Sequence, residues 1–194
     1  MWLFDCGDGA QLQIQKSPLS TSGITRIFVT HMHGDHCFGL PGILCNIAIS
    51  SASRQDREPV VIVGPTGLRS YVRVTLGTTF CRLGDFRYTV HELAGVPGPA
   101  DLPPQYEATP DQLHVNEVPG LTLHAEGGVW TIPALPSDRG VAVRACALPH
   151  TVPTVAYSVT EGLRPGKLDA ARARPAVLVC PALSSPPSVL PWLA

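Results

Sequence analysis

Thr30-His31-Met32-His33-Gly34-Asp35-His36 packs three imidazoles and one carboxylate into the six residues from His31 to His36. A largely apolar run, Ile24 to Val29, precedes it, and Gly39-Leu40-Pro41-Gly42 follows. Neutral imidazole nitrogen and carboxylate oxygen are ligands that zinc accepts at neutral pH. His31 and His33 stand two apart, so on an extended backbone both point to one side. Gly34 lets the chain turn. Asp35 and His36 then face the same hollow from another direction, and two adjacent metal positions are expected. A His-rich surface loop is the alternative; the buried-looking strand directly before the cluster speaks against it.

Upstream, Trp2-Leu3-Phe4-Asp5 reads as a strand that ends at the turn Cys6-Gly7-Asp8-Gly9. Asp5 either caps that turn or orients a metal-bound His through its other ring nitrogen. Gln11 to Lys16 follows as a short helix, stopped near Pro18. Downstream, Leu40, Ile43, Leu44 and Ile47 carry helical spacing over Leu40 to Ser50. The cluster thus sits between a strand and a helix, at the carboxyl edge of a sheet, where such folds place their sites.

Val60 to Val63 predicts a buried strand, Leu68 to about Leu76 a helix, and Phe86 to Leu93 a strand in which His91 is half-exposed. Pro97 to Gly120 carries Pro, Gly and acids and reads as an insertion loop (97–120) with His114 solvated. Leu121 to Glu126 and Val129 to Ile132 read as a hairpin around Gly127-Gly128. Val141 to Leu148 and Thr154 to Thr160 are further strands, with Pro149-His150 after the first. This order suits an α+β sandwich with helices on its outer faces.

The chain has 194 residues, enough for one domain with a real core. Charged residues make up 15% and the net charge is −1, so a nucleic-acid partner needs a local patch. Arg164, Lys167, Arg172 and Arg174 form the densest such patch; an ordinary solvated helix face is the other reading. Six cysteines occur without a C-x-x-C pair, which fits reduced thiols in the cytoplasm and/or nucleus. Cys37 is a possible ligand, though a free Cys here more readily packs beneath the loop. The start lacks a signal peptide pattern, and no apolar run is long enough to span a bilayer. Twenty prolines concentrate in Pro97 to Pro119 and Pro175 to Pro191.

His31-Met32-His33-Gly34-Asp35-His36 matches the H-x-H-x-D-H signature of the metallo-β-lactamase superfamily. The longer run resembles its tRNase Z endonucleases, short (ElaC) form. The resemblance rests on Phe4-Asp5-Cys6-Gly7-Asp8-Gly9-Ala10-Gln11, Thr30 to Leu44, and Gly64-Pro65-Thr66-Gly67-Leu68-Arg69. His150, with Tyr157-Ser158-Val159 beyond it, resembles the family's third metal motif. Arg164-Pro165-Gly166-Lys167-Leu168 resembles the start of its projecting tRNA-binding arm.

The resemblance implies a metallo-β-lactamase αβ/βα sandwich and a zinc-dependent endoribonuclease. Such an enzyme removes the 3′ trailer of precursor tRNA by metal-activated hydroxide attack. It further implies His31, His33 and His150 on a first zinc, and Asp35 and His36 on a second. Asp35 would be the proton acceptor, Asp5 an orienting residue behind the ligands, and Arg164, Lys167, Arg172 and Arg174 tRNA contacts. A homodimer, with no membrane association, is the family's working form.

Against the family pattern the sandwich is expected to be incomplete. Residues 1–175 would form mainly its N-terminal half, without the first strands and the C-terminal half; 164–174 would begin the arm, and 176–194 would be a divergent proline-rich tail. No His follows His150, and only Glu161 and Asp169 remain as later carboxylates. The family has two zincs; one is expected here. The alternative function is a non-catalytic mono-zinc truncated isoform or remnant that associates with the full-length enzyme.

Overall fold

The computed structural model describes residues 1–53, 57–102 and 112–162. Arg164, Lys167, Arg172 and Arg174 and the tail over 176–194 lie outside the described residues. Strand β1 (Trp2–Phe4) is followed by helix α1 (Ala10–Gln15), a 3-10 turn (Thr21–Gly23) and β2 (Arg26–Phe28). Next come α2 (Gly34–Cys37), α3 (Leu40–Ser50), β3 (Val60–Pro65), α4 (Leu68–Thr78) and β4 (Tyr88–Leu93). Short strands β5 (Glu117–Val118) and β6 (Thr122–Leu123) lead to β7 (Val129–Ile132), β8 (Ala142–Leu148) and β9 (Thr154–Thr160).

The first sheet runs β1-β2-β3-β4-β5, with β6 also paired to β4, and every pairing in it is parallel. Parallel neighbours need crossovers. Helices α2 and α3 span β2 to β3, and α4 spans β3 to β4. Strands β7, β8 and β9 make a separate antiparallel sheet.

Alternation along the central strands fills two cores. Ile27, Val60 and Ile62 share a buried cluster with Leu40, Ile43, Leu44, Ile47, Leu68 and Val72 of the helices. Phe28, Val61 and Val63 turn the other way and pack with Trp130, Ile132, Val143, Ala145 and Val155 of the second sheet. Burial on both faces is why Val60-Val61-Ile62-Val63 is continuously apolar. The outcome is a mixed α/β sandwich with the layers helix, parallel sheet and antiparallel sheet. Among the described residues no helix is long and apolar enough to cross a membrane.

Four sequence expectations are corrected. The hairpin around Gly127-Gly128 does not form as a paired unit: β6 joins the first sheet and β7 the second. Only an isolated bridge, Glu126 to Val129, remains between the two segments. The open edge of β4 decides this, because Glu92 N donates to Leu121 O at 2.9 Å and Ala94 N to Leu123 O at 2.8 Å. Gly127 and Gly128, at φ 59° and 79°, then carry the chain between sheets.

The loop expected over 97–120 contains β5, captured by the same edge of β4. His114 is not simply solvated. Its Nε2 lies 2.8 Å from Cys81 O, and its ring stacks on Tyr88 at 6.1 Å.

His91 is buried at 9% exposure, not half-exposed, and its Nδ1 accepts a bond from Leu121 N at 3.0 Å. That acceptor role requires an unprotonated Nδ1. Burial first, then the positive charges of Arg26 and Arg69, hold its pKa below the ordinary 6.5. With the folded pKa depressed, the unfolded chain takes up the proton first as pH falls. This contribution to stability is therefore complete above the unfolded value and declines as pH falls below it. An NMR titration is expected to show His91 still neutral at pH values where a free imidazole is half charged.

Candidate metal centre

The loop after β2 is clamped from both sides. Cys6 N donates to His36 O at 2.7 Å, and Gly39 N donates to Cys6 O at 2.9 Å. This close approach needs glycine. A Cβ on Gly7 would stand 2.0 Å from Asp35 O, and one on Gly39 would stand 2.1 Å from Gly7 O. Beneath the loop Cys37 is 1% exposed, with Sγ 3.7 Å from Met32 O. Burial pushes its thiol up to about 11, so the metal-ligating thiolate is disfavoured there.

Above the clamp the imidazoles converge. His31 Nε2 lies 3.1 Å from His33 Nδ1. The ring of His150 stands 4.8 Å from that of His31 and 5.3 Å from that of His33. One nitrogen from each of the three lies within 4.8 Å of the others. Among the described residues this is the one set of three or more His, Cys, Asp or Glu side chains close enough to share an ion.

The donors fit zinc. Ligand nitrogens at about 2.0–2.1 Å around a tetrahedral ion stand roughly 3.3 Å apart, and three imidazoles leave a fourth position open. His31 is also kept neutral: its pKa is lowered by burial, then by His36, His33 and His150, with Asp5 opposing.

Asp5 organises the protons. It sits just past β1 with φ +57°. Its Oδ1 accepts from Thr30 N at 2.7 Å, and its Oδ2 accepts from Thr30 Oγ1 at 2.9 Å. Thr30 Oγ1 is in turn 2.9 Å from His31 Nδ1. A hydroxyl that donates to Asp5 can only accept from His31, which assigns that proton to Nδ1 and leaves Nε2, the atom facing His33, as a lone pair. Asp5 Oδ2 also accepts a hydrogen bond from His36 Nδ1–H, at 2.8 Å, which leaves the lone pair on His36 Nε2. One carboxylate thereby sets the tautomer of two imidazoles. Replacing Asp5 by Ala is expected to weaken zinc binding by about 10–100-fold, read by competition with a chromophoric chelator.

His150 reaches the cluster through the second sheet. It lies in the connection from β8 to β9, and Val155 N at the start of β9 donates to Thr30 O at 3.0 Å. Tyr157 OH, also on β9, donates towards Val29 O at 2.9 Å and Val63 O at 3.2 Å. The hydroxyl bonds across the sandwich to strand ends beside the site, and burial holds its pKa well above the ordinary 10.0. Sequence reasoning missed Thr30 and Tyr157 as supports. Thr30 directly before His31 is the available signal for the first; Tyr157 stands in the motif after His150, but nothing local gives its bonds across the sandwich.

Asp35 opens the short helix α2 with its side chain 81% exposed. It lies 3.6 Å from His36 Nε2. The proposed tRNA contacts Arg164, Lys167, Arg172 and Arg174 lie outside the described residues.

A parallel sheet packed on an antiparallel one, with imidazoles gathered beyond the carboxyl ends of β2 and β8, defines the metallo-β-lactamase fold with a candidate metal centre. Comparisons with known proteins sharpen that class. The family model described as "Anti-Pycsar protein Apyc1" matches residues 1–66. Zinc phosphodiesterase ELAC protein 1 of Homo sapiens is 40% identical over 179 residues, covering 89% of this chain and 48% of that protein. Ribonuclease Z of Prochlorococcus marinus (strain AS9601) is 34% identical over 173 residues, covering 89% of this chain and 44% of that protein. The crystal structure of human tRNase Z, short form (ELAC1), superposes with a TM-score of 0.62 at 37% identity. That match covers 82% of this chain and 52% of the human one. The resemblance to short-form tRNase Z holds in sequence and in fold, and the chain spans about half the length of the curated relatives it matches.

Proposed function

We propose that this chain carries the first-zinc residues of a tRNase Z-type endoribonuclease that removes the 3′ trailer of precursor tRNA. The observation that supports it is the convergence of His31, His33 and His150 within 4.8 Å, beside a carboxylate that assigns ring protons. Zinc bound there supplies Lewis-acid stabilisation of phosphate charge and lowers the pKa of a water. The chain's own residues do the rest. Asp5 and Thr30 hold His31 with Nε2 outward. Asp35, exposed at the start of α2, is the proton acceptor. Asp35 and His36 begin a second zinc position, for which the described residues offer no third ligand, so one zinc per protomer is the proposed content. Arg164, Lys167, Arg172 and Arg174 contact tRNA phosphates, which makes binding salt-sensitive. The working assembly is a homodimer, in the cytoplasm and/or nucleus.

The two-ligand second position favours a further reading: a non-catalytic mono-zinc protein that associates with a catalytically complete tRNase Z-type enzyme. Zinc per protomer and 3′ trailer removal from a precursor tRNA, measured on the same preparation, separate the two. Cleavage that stops on chelation and returns with zinc supports the enzyme. About one zinc with no cleavage, alone or as a dimer, sinks the enzymatic reading and leaves the second. No zinc at all overturns both.

A further inference from the structure

A pair of thiols lies apart from the metal centre. Cys45 is on α3 and Cys81 just past α4, with their Sγ atoms 3.6 Å apart. Both side chains border the helix-side core and are half-buried. Each lines its own opening. Cys81 lies in a cavity of about 470 Å³ with Arg73, Phe80, Arg82 and His114. Cys45 lies in another of about 450 Å³ with Ile49, Arg57, Arg82 and Phe86. Each cysteine thus borders an opening, and Arg82 lines both. Of the other described cysteines, Cys6 and Cys37 are each 1% exposed in the core, and Cys146 is exposed on β8.

We propose that Cys45 and Cys81 form a dithiol modification site, which takes a small acidic disulfide of the glutathione disulfide class and closes to an intramolecular disulfide. The arginine lining both openings suits the carboxylates of such a reagent. One protein thiolate attacks a sulfur of the reagent, forming a mixed disulfide and releasing one glutathione thiolate. The second protein thiolate attacks the protein sulfur of that mixed disulfide and releases the other. Two thiol hydrogens leave the protein and end on two glutathione molecules; the protein is oxidised by two electrons and the reagent reduced by two. Disulfide closure brings the sulfurs from 3.6 Å, already in contact, to about 2 Å. The new bond would join α3, whose first turn abuts the metal loop, to the end of α4.

Burial, with the hydrogen bond to Cys81 second, pushes the Cys45 thiol up to about 11. Where Cys45 is the attacking group, its thiolate is scarce at neutral pH, and closure quickens about tenfold per pH unit below that value.

The test uses the full chain with zinc present. It is incubated with glutathione disulfide, alkylated, digested and mapped by mass spectrometry. A Cys45–Cys81 linked peptide pair, lost on treatment with a thiol reductant, is expected. In Cys81→Ser the linked pair disappears and Cys45 stops at the glutathione adduct. The proposal is overturned if both thiols of the unsubstituted chain stay separately alkylatable under excess reagent, or if either is found bonded to a different cysteine. The map of the unsubstituted chain decides the matter even if the variant does not fold.

Discussion

His33→Ala, with His31→Ala and His150→Ala beside it, is expected to lower zinc affinity by more than about 100-fold, beyond what losing an outer-shell partner costs. Each removes one of the three nitrogens that lie within 4.8 Å of one another. The survivors are two imidazoles, too few to hold zinc tightly against water. Competition with a chromophoric chelator reads the affinity, and elemental analysis reads the content. The pattern across positions matters as much as the size. His36→Ala should fall well short of the other three in zinc binding, because His36 is absent from the three-nitrogen set and pairs with Asp5 instead. Equal losses at all four positions would show that the first ion is not held by these three. A His150→Ala chain with full zinc content would show that the β8–β9 connection does not supply a ligand.

The second large effect lies at the start of β2, at the opposite end from the His cluster. Asp138→Ala is expected to destabilise the fold by about 3–5 kcal/mol, the cost of stranding a buried charge. Arg26 on β2 is 1% exposed, and its Nε donates to Asp138 Oδ1 at 2.9 Å. Its Nη2 pairs with Asp138 Oδ2 and donates to Pro133 O at 2.7 Å. Asp138 Oδ2 also accepts from Leu135 N at 2.6 Å. The pair therefore ties the first sheet to the connection between β7 and β8. Denaturant unfolding of the two chains at one pH gives the difference. An apolar double variant, Arg26→Met with Asp138→Leu, should recover most of it, since it leaves no unpaired charge behind. A double variant as unstable as the single one would mean that the loss comes from the turn over Pro136–Asp138 and not from the guanidinium.

The strands and helices near the metal loop were legible because their signals are local. Ile24, Ile27, Phe28 and Val29 are apolar, Gly34 permits a turn, and Leu40, Ile43, Leu44 and Ile47 keep helical spacing. The structure places β2 and α3 accordingly. The segment after β4 was not legible in this way. Thr122 and Leu123 could pair with β7 or with the open edge of β4, and nothing in their own pattern chooses. Backbone donors of Glu92 and Ala94, otherwise unsatisfied, made the choice. His114 was misread for a similar reason: its partners, Cys81 and Tyr88, are distant in sequence.

By itself the sequence determined the candidate ligand types, the strand–loop–helix frame around His31 to His36, and the family likeness carried by those residues. Backbone periodicity and side-chain chemistry suffice for that, because each acts over a few neighbouring positions. Tertiary structure decided which nitrogens meet. Val155 N on Thr30 O and Tyr157 OH on Val29 O and Val63 O bring the second sheet, and His150 with it, against the loop. Asp5, through Thr30 and His36, then settles where the ring protons sit. Such contacts join positions far apart in the chain, and they exist only once two sheets have buried their apolar faces against each other.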